Sequence, residues 1–195
     1  FVQKSGVVTF HGPMLTSDFL SKEFFEQSFR DMLWALTTPE PLGKIKAPPM
    51  CPKEEMLVAG SAEGTTIGGN LSLIAASLGT PYEIDTKQKL LLLEDVDEEP
   101  YSIDRMLTQL RLAGKLEDAS GIVLGQFTNC NPKEPENSLT LDEIFCDILV
   151  PLGKPIIKNV CFGHGPYKYT LPLGVKARID QEETAFIVEE SALHL

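Results

Sequence analysis

Two short stretches carry residues able to move protons. The first is Leu93-Glu94-Asp95-Val96, at the end of the apolar run Leu90-Leu91-Leu92-Leu93. An apolar run of this kind suits a strand buried on both faces. Carboxylates that follow such a strand stand at the carboxyl edge of the sheet, where the sites of α/β proteins gather. Glu94 or Asp95 could equally cap or solvate a strand end. The second stretch is Gly163-His164-Gly165-Pro166. Imidazole is the usual proton carrier near neutral pH, and glycines on both sides leave the ring uncovered. An ordinary turn histidine gives the same pattern, and His11-Gly12-Pro13 repeats most of it.

A third stretch, Gly60-Ser61-Ala62-Glu63-Gly64 with Gly68-Gly69-Asn70-Leu71, reads as a glycine-rich mobile turn before a helix. Such a turn can hold an anion on backbone N–H groups, or it can simply be a tight turn before a capped helix. It lacks the lysine of a P-loop and the spacing of a dinucleotide fingerprint. No G-x-S-x-G frame surrounds Ser61. The histidines are His11, His164 and His194, with no H-E-x-x-H and no paired cysteines, so no metal is expected.

These residues need elements to hold them. Phe19, Leu20, Phe24, Phe25, Phe29, Met32, Leu33 and Leu36 recur at helical spacing and predict a helix over Ser17–Leu36, capped by Ser17 or Asp18. The prolines from Pro39 to Pro52 break it and mark a domain crossing. Strands are predicted at Gly6–Phe10, Glu55–Ala59, Leu90–Leu93, Ile122–Phe127, Pro155–Val160, Val175–Ile179 and Thr184–Val188. Helices are predicted from Asn70 to Leu78, from Pro100 to Gly114 and from Leu141 to Val150, with a polar loop over Asn129–Ser138. Strands interleaved with helices give an α/β class. The chain opens Phe1-Val2-Gln3, just before a buried strand, so we expect it to be cut from a larger protein.

Bulk properties narrow the partners. Seventeen basic residues against 28 acidic ones give a formal charge of −11, which argues against nucleic acid and anionic membranes. No apolar run approaches the roughly 20 residues of a membrane-spanning helix. Cys51, Cys130, Cys146 and Cys161 are widely spaced, and reduced, partly buried thiols in the cytoplasm are expected.

Taken together, the motifs resemble those of the LD-carboxypeptidases, a family of serine peptidases that includes muramoyltetrapeptide carboxypeptidases and microcin C immunity hydrolases. Leu93 to Leu107 resembles their glutamate motif, and Gly68-Gly69-Asn70-Leu71 their glycine-rich helix start. Gly121 to Phe127 looks like the strand that follows. Gly163-His164-Gly165-Pro166 and Leu171-Pro172-Leu173-Gly174 look like their histidine motif. Val8 to Pro13 matches the segment after their nucleophile helix.

The resemblance implies a Ser-Glu-His triad, with Glu94 and His164 as the matching positions and a hydrogen bond of about 2.6–3.2 Å between them. It implies an α/β fold: a C-terminal swivelling β/β/α domain over 45–195, and over 1–44 a remnant of an N-terminal α/β nucleophile domain with the start of a linker. It implies cytoplasmic homodimers, no cofactor, and hydrolysis of an L,D-amide in muropeptides with release of terminal D-alanine. A microcin C-type peptide–nucleotide amide is the alternative substrate, and a non-catalytic binding or scaffold domain the alternative role. The family's nucleophile lies in a G-x-S-D type turn upstream. None of Ser5, Ser17, Ser21 or Ser28 has that frame, so the nucleophile serine is expected outside this chain, and the N-terminal part of the same protein is an expected partner.

Overall fold

The computed structural model describes residues 2–20 and 26–193. Ser21, Phe24 and Phe25, in the middle of the predicted first helix, and His194 lie outside the described residues. The chain runs through α1 (Val2–Ser5), β1 (Thr9–His11), α2 (Glu26–Thr37), β2 (Gly43–Lys44), β3 (Glu55–Val58), β4 (Ala62–Asn70) and α3 (Leu71–Ser77). It continues through β5 (Lys89–Val96), α4 (Pro100–Leu112), α5 (Lys115–Asp118), β6 (Gly121–Thr128), α6 (Leu141–Leu149), β7 (Ile156–Lys158), β8 (Leu171–Leu173), β9 (Lys176–Asp180) and β10 (Ala185–Val188).

One eight-stranded sheet, in the order β2-β10-β9-β4-β5-β6-β7-β3, organises the molecule. Its centre is parallel, β4 to β5 to β6 to β7, and its flanks are antiparallel. The fold is α/β, as the alternation of elements predicts.

The central strands obey the two-residue period of a pleated sheet. On β5, Leu91 and Leu93 face a core shared with Leu107, Leu110 and Ile144 of the helices. Leu90 and Leu92 face a second core built from Phe162, Tyr167, Leu171 and Val175. All four leucines are fully buried, each worth about 1.5–3 kcal/mol relative to exposure. Burial on both faces explains why this stretch reads as a continuous apolar run. A two-stranded sheet, β1 with β8, lies on the second face, with His11 opposite Leu171.

Three expectations need correction. The glycine-rich stretch is not a mobile turn: Ala62–Asn70 is a nine-residue strand. Thr65, Thr66 and Ile67 supply β-branched side chains. At Gly68, a Cβ would collide with the Leu92 carbonyl of the neighbouring strand. Glycine there permits close approach of two backbones, not a bend. Second, within the helix predicted over Ser17–Leu36 the described residues are helical over Glu26–Thr37, whereas residues 15–20 form turns. Asp18 is spent elsewhere, since its carboxylate accepts from the Met14 N–H at 2.7 Å and pairs with Lys168 at 2.6 Å. Third, Cys51 and Cys161 form a disulfide, leaving Cys130 buried and Cys146 exposed as free thiols. Their separation of 110 residues hides the pairing from the sequence.

Helix ends follow local chemistry. Asn70 accepts from Leu73 N–H at 3.1 Å and starts α3. Thr140 and Glu143 form a reciprocal capping box at α6. The first segment docks by polar contacts: the Tyr167 hydroxyl donates to Asp31 at 2.6 Å, and Lys168 N–H donates to Ser28 at 2.9 Å.

Glu54 gives a pH-dependent handle on stability. It is half-buried and accepts from Phe186 N–H at 3.0 Å. Burial pushes its carboxyl up to about 7, against the lowering by that hydrogen bond and by Lys44. Between about pH 4.5 and 7 the folded protein therefore holds a proton that the unfolded chain has lost, so stability falls as pH rises through that window. Glu54→Gln keeps an acceptor for Phe186 and removes the charge. We expect it to be more stable than the parent by about 1–2 kcal/mol at pH 8, after discounting for solvent screening, and equal at pH 4. Urea denaturation at the two pH values measures the difference.

Candidate active site

Strand parity separates the two carboxylates. Glu94 follows Leu90 and Leu92 in phase and Asp95 follows Leu91 and Leu93, so they leave β5 on opposite faces. Asp95 turns toward α3. It accepts from Asn70 Nδ2 at 2.8 Å, Ser72 Oγ at 2.7 Å, Ser72 N–H at 3.0 Å and Val96 N–H at 2.9 Å. Its bonding capacity is filled in fastening the helix start. Glu94 turns toward the loop that carries His164, and its Oε2 lies 2.7 Å from His164 Nδ1.

That contact fixes a tautomer. An ionised carboxylate can only accept, so Nδ1 carries the proton and Nε2 keeps a lone pair. Glu94 is fully buried and the His164 side chain is 36% exposed, so the carboxylate is sheltered while the imidazole stays accessible. Both line one cleft of about 510 Å³, with His11, Gly69, Asn70 and Leu73 among its other walls.

The glycines beside His164 answer to packing. A Cβ at Gly163, where φ is +120°, would stand 2.9 Å from Glu94 Oε2. A Cβ at Gly165 would strike the Gln126 side chain. Gln126 is the clamp of this loop: it accepts from Gly165 N–H at 2.9 Å and donates to the Tyr167 carbonyl at 3.2 Å. It sits where β6 gains a residue relative to β5, between the pairs Leu93–Leu124 and Asp95–Phe127. Bulges often re-aim side chains beside sites.

Residues 63–179, more than half of the chain, match the model of the LD-carboxypeptidase C-terminal domain. The chain belongs to the LD-carboxypeptidase family. A Bacillus subtilis protein named "Probable murein peptide carboxypeptidase" is 42% identical over 194 residues, which cover 96% of this chain and 57% of that protein. The murein tetrapeptide carboxypeptidase of Pseudomonas aeruginosa is 34% identical over 119 residues, 60% of this chain and 38% of that protein. Among solved structures, the muramoyltetrapeptide carboxypeptidase of Oxalobacter formigenes superposes with a TM-score of 0.79 at 28% identity. It is covered over 64% of its length by 97% of this chain. The microcin C7 self immunity protein MccF, at 22% identity and a TM-score of 0.83, has the same fold, with 99% of this chain covering 64% of that one. The chain thus spans 57–64% of the length of these three long matches.

Within this LD-carboxypeptidase frame, sequence reading brought Glu94 and His164 forward and passed over His11 and Gln126. His11 appeared only as a repeat of the H-G-P pattern, yet it lines the same cleft. Ser61 does not: it precedes β4 at the end opposite Asn70, nine residues or roughly 30 Å of strand away. It accepts from Gln181 N–H instead. Among the described residues no cluster of three or more His, Cys, Asp or Glu side chains converges as metal ligands, and no helix is long and apolar enough to cross a membrane.

The disulfide touches the site indirectly, because Cys161 begins the turn that leads to His164. Joining positions 110 residues apart restricts the unfolded chain strongly. Cys51→Ser should lower stability by about 2–4 kcal/mol in non-reducing buffer and by nothing further in reducing buffer. Urea titration with and without dithiothreitol measures both.

Proposed function

We propose that this chain is the C-terminal part of a serine-type LD-carboxypeptidase that releases terminal D-alanine from muropeptides, with Glu94 and His164 as two members of its triad. The observation that carries the reading is the 2.7 Å hydrogen bond between a buried carboxylate and a histidine whose other nitrogen is left as a base. The names of the Bacillus and Pseudomonas relatives, murein peptide and murein tetrapeptide carboxypeptidase, support the substrate class.

In this reading His164 Nε2 takes the proton of a serine hydroxyl as its oxygen attacks the scissile carbonyl, then passes that proton to the departing amine of D-alanine. Water repeats the cycle on the acyl-enzyme. Glu94 holds the imidazole tautomer and stabilises the imidazolium. The serine and the oxyanion donors belong to a preceding segment of the same protein. Ser28 is unsuited, being fully buried and engaged by Lys168 N–H. Residues 1–44 belong with that preceding segment, and 45–195 form the C-terminal domain. β2 at Gly43–Lys44, the last residues of the first segment, pairs with β10 of the main sheet, in keeping with a linker that starts there. The exposed Leu33, Trp34 and Leu36 of α2 provide an apolar face for the preceding segment or a second subunit of a homodimer.

Peptidoglycan recycling places the protein in the cytoplasm, where thiol pools oppose a Cys51–Cys161 bridge. Thiol counting on protein from its native host decides between the two. The substrate test is D-alanine release from a murein tetrapeptide by the protein joined to its preceding segment, run beside a peptidyl-nucleotide amide. Turnover of the tetrapeptide is expected. Turnover of the nucleotide conjugate alone would transfer the reading to the microcin C branch.

A further inference from the structure

Glu94 has two oxygens, and only one is accounted for. Oε2 accepts from His164. Oε1 is buried and has no hydrogen-bond partner. A carboxylate oxygen withdrawn from water without a donor is costly, so a donor within reach of it has a strong thermodynamic reason to close. His11 Nε2 stands 3.8 Å from Oε1, less than 1 Å beyond hydrogen-bond range.

His11 is built into place. It ends β1, whose partner β8 follows the His164 loop, and its register partner is Leu171. Its ring meets Phe162 edge-on, with centroids 5.7 Å apart at 84°. Its Nδ1 side lies over Gly69, where a Cβ would come within 3.8 Å. Phe162 and Gly69 thus bracket the ring while Nε2 is on the side of the carboxylate. Burial lowers the His11 pKa, with His164 and Lys168 acting the same way and Glu94 opposing them. That shift favours the neutral imidazole, a donor that adds no positive charge to the site.

We propose that His11 is a positioning residue: its Nε2–H closes onto Glu94 Oε1 and fixes the carboxylate that orients His164. This rests on the reading of Glu94 and His164 as the orienting and base pair. With both oxygens held, the carboxylate cannot rotate away from Nδ1. Because His11 lies in the first segment and His164 in the main one, the clamp also ties the base to correct docking of that segment.

The test uses the protein joined to its nucleophile segment, with His11→Ala, His11→Gln and His164→Ala compared. His11→Ala should lower kcat roughly 10- to 100-fold with KM within about twofold. His11→Gln, whose amide nitrogen reaches about as far as Nε2, should recover most of that loss. The downfield proton resonance of His164 Nδ1–H should be sharp in the parent, broadened or lost in His11→Ala, and restored in His11→Gln. This resonance is read without turnover, so a general folding defect is separable from a loosened Glu94. Equal impairment of the alanine and glutamine variants, or a fall in rate with the resonance unchanged, would overturn the proposal. Parental activity in His164→Ala would instead bring down the base reading itself, and the proposal with it.

Discussion

His164→Ala should abolish D-alanine release by the protein joined to its nucleophile segment, lowering kcat by about 10⁴-fold or more. His164 is the imidazole of this cleft that is hydrogen-bonded to the buried Glu94 carboxylate. Removing it leaves substrate binding and the oxyanion donors intact, so KM should change little. Glu94→Gln should be nearly as damaging, roughly 10³- to 10⁴-fold. An amide retains the shape but can donate to Nδ1, which selects the wrong tautomer, and it supplies no charge for the imidazolium. Circular dichroism and melting temperature should be close to the parent for His164→Ala, whose ring is partly exposed. Initial rates of D-alanine release over a range of tetrapeptide concentrations separate kcat from KM.

Gly163→Ala should be the most damaging substitution that removes no chemical group. Its backbone sits at φ +120°, a conformation that side-chain-bearing residues rarely adopt. The added methyl would lie 2.9 Å from Glu94 Oε2, 3.1 Å from Glu94 Cβ and 3.2 Å from the Gln126 carbonyl. Residues Leu90 to Asp95 of strand β5 are buried, so the carboxylate or the loop must yield, and the loop is the softer of the two. A displacement near 1 Å between catalytic groups costs on the order of 100-fold in rate. We expect kcat to fall by about that factor, with stability lowered by roughly 1–3 kcal/mol from backbone strain. Gly79→Ala is the control: φ is +77° there and no atom lies within 4 Å of the added Cβ, so it carries strain but no clash. It should lose stability and keep its rate.

How far the sequence could be read depended on the range of the forces involved. Strand β5 is legible because four consecutive leucines satisfy two cores at once. Glu94 is legible as the first polar residue after them, and His164 because glycines uncover it. Helices α4 and α6 are legible because Pro100 and Thr140 act locally at their first turns. Strand β4 is not, since its glycines answer to Leu92 on a neighbouring strand rather than to a turn of their own. The turns at residues 15–20 are missed for a similar reason: Asp18 is drawn to Lys168, 150 residues away. The Cys51–Cys161 bridge, the Gln126 clamp and the approach of His11 to Glu94 are all tertiary events, visible only once the chain is folded. Which of the two carboxylates turns toward His164 follows from strand parity, which the sequence contains but does not announce.

The central claim is that this chain holds the base half of a hydrolase and takes its nucleophile from a preceding segment. D-alanine release from a murein tetrapeptide, measured for the 195-residue chain alone and after addition of that segment as a second chain, tests it directly. The account predicts no release from the chain alone, recovery on addition of the segment, and no recovery when the segment's nucleophile serine is replaced by alanine. Full activity from the chain alone would contradict it and would require another nucleophile within these residues.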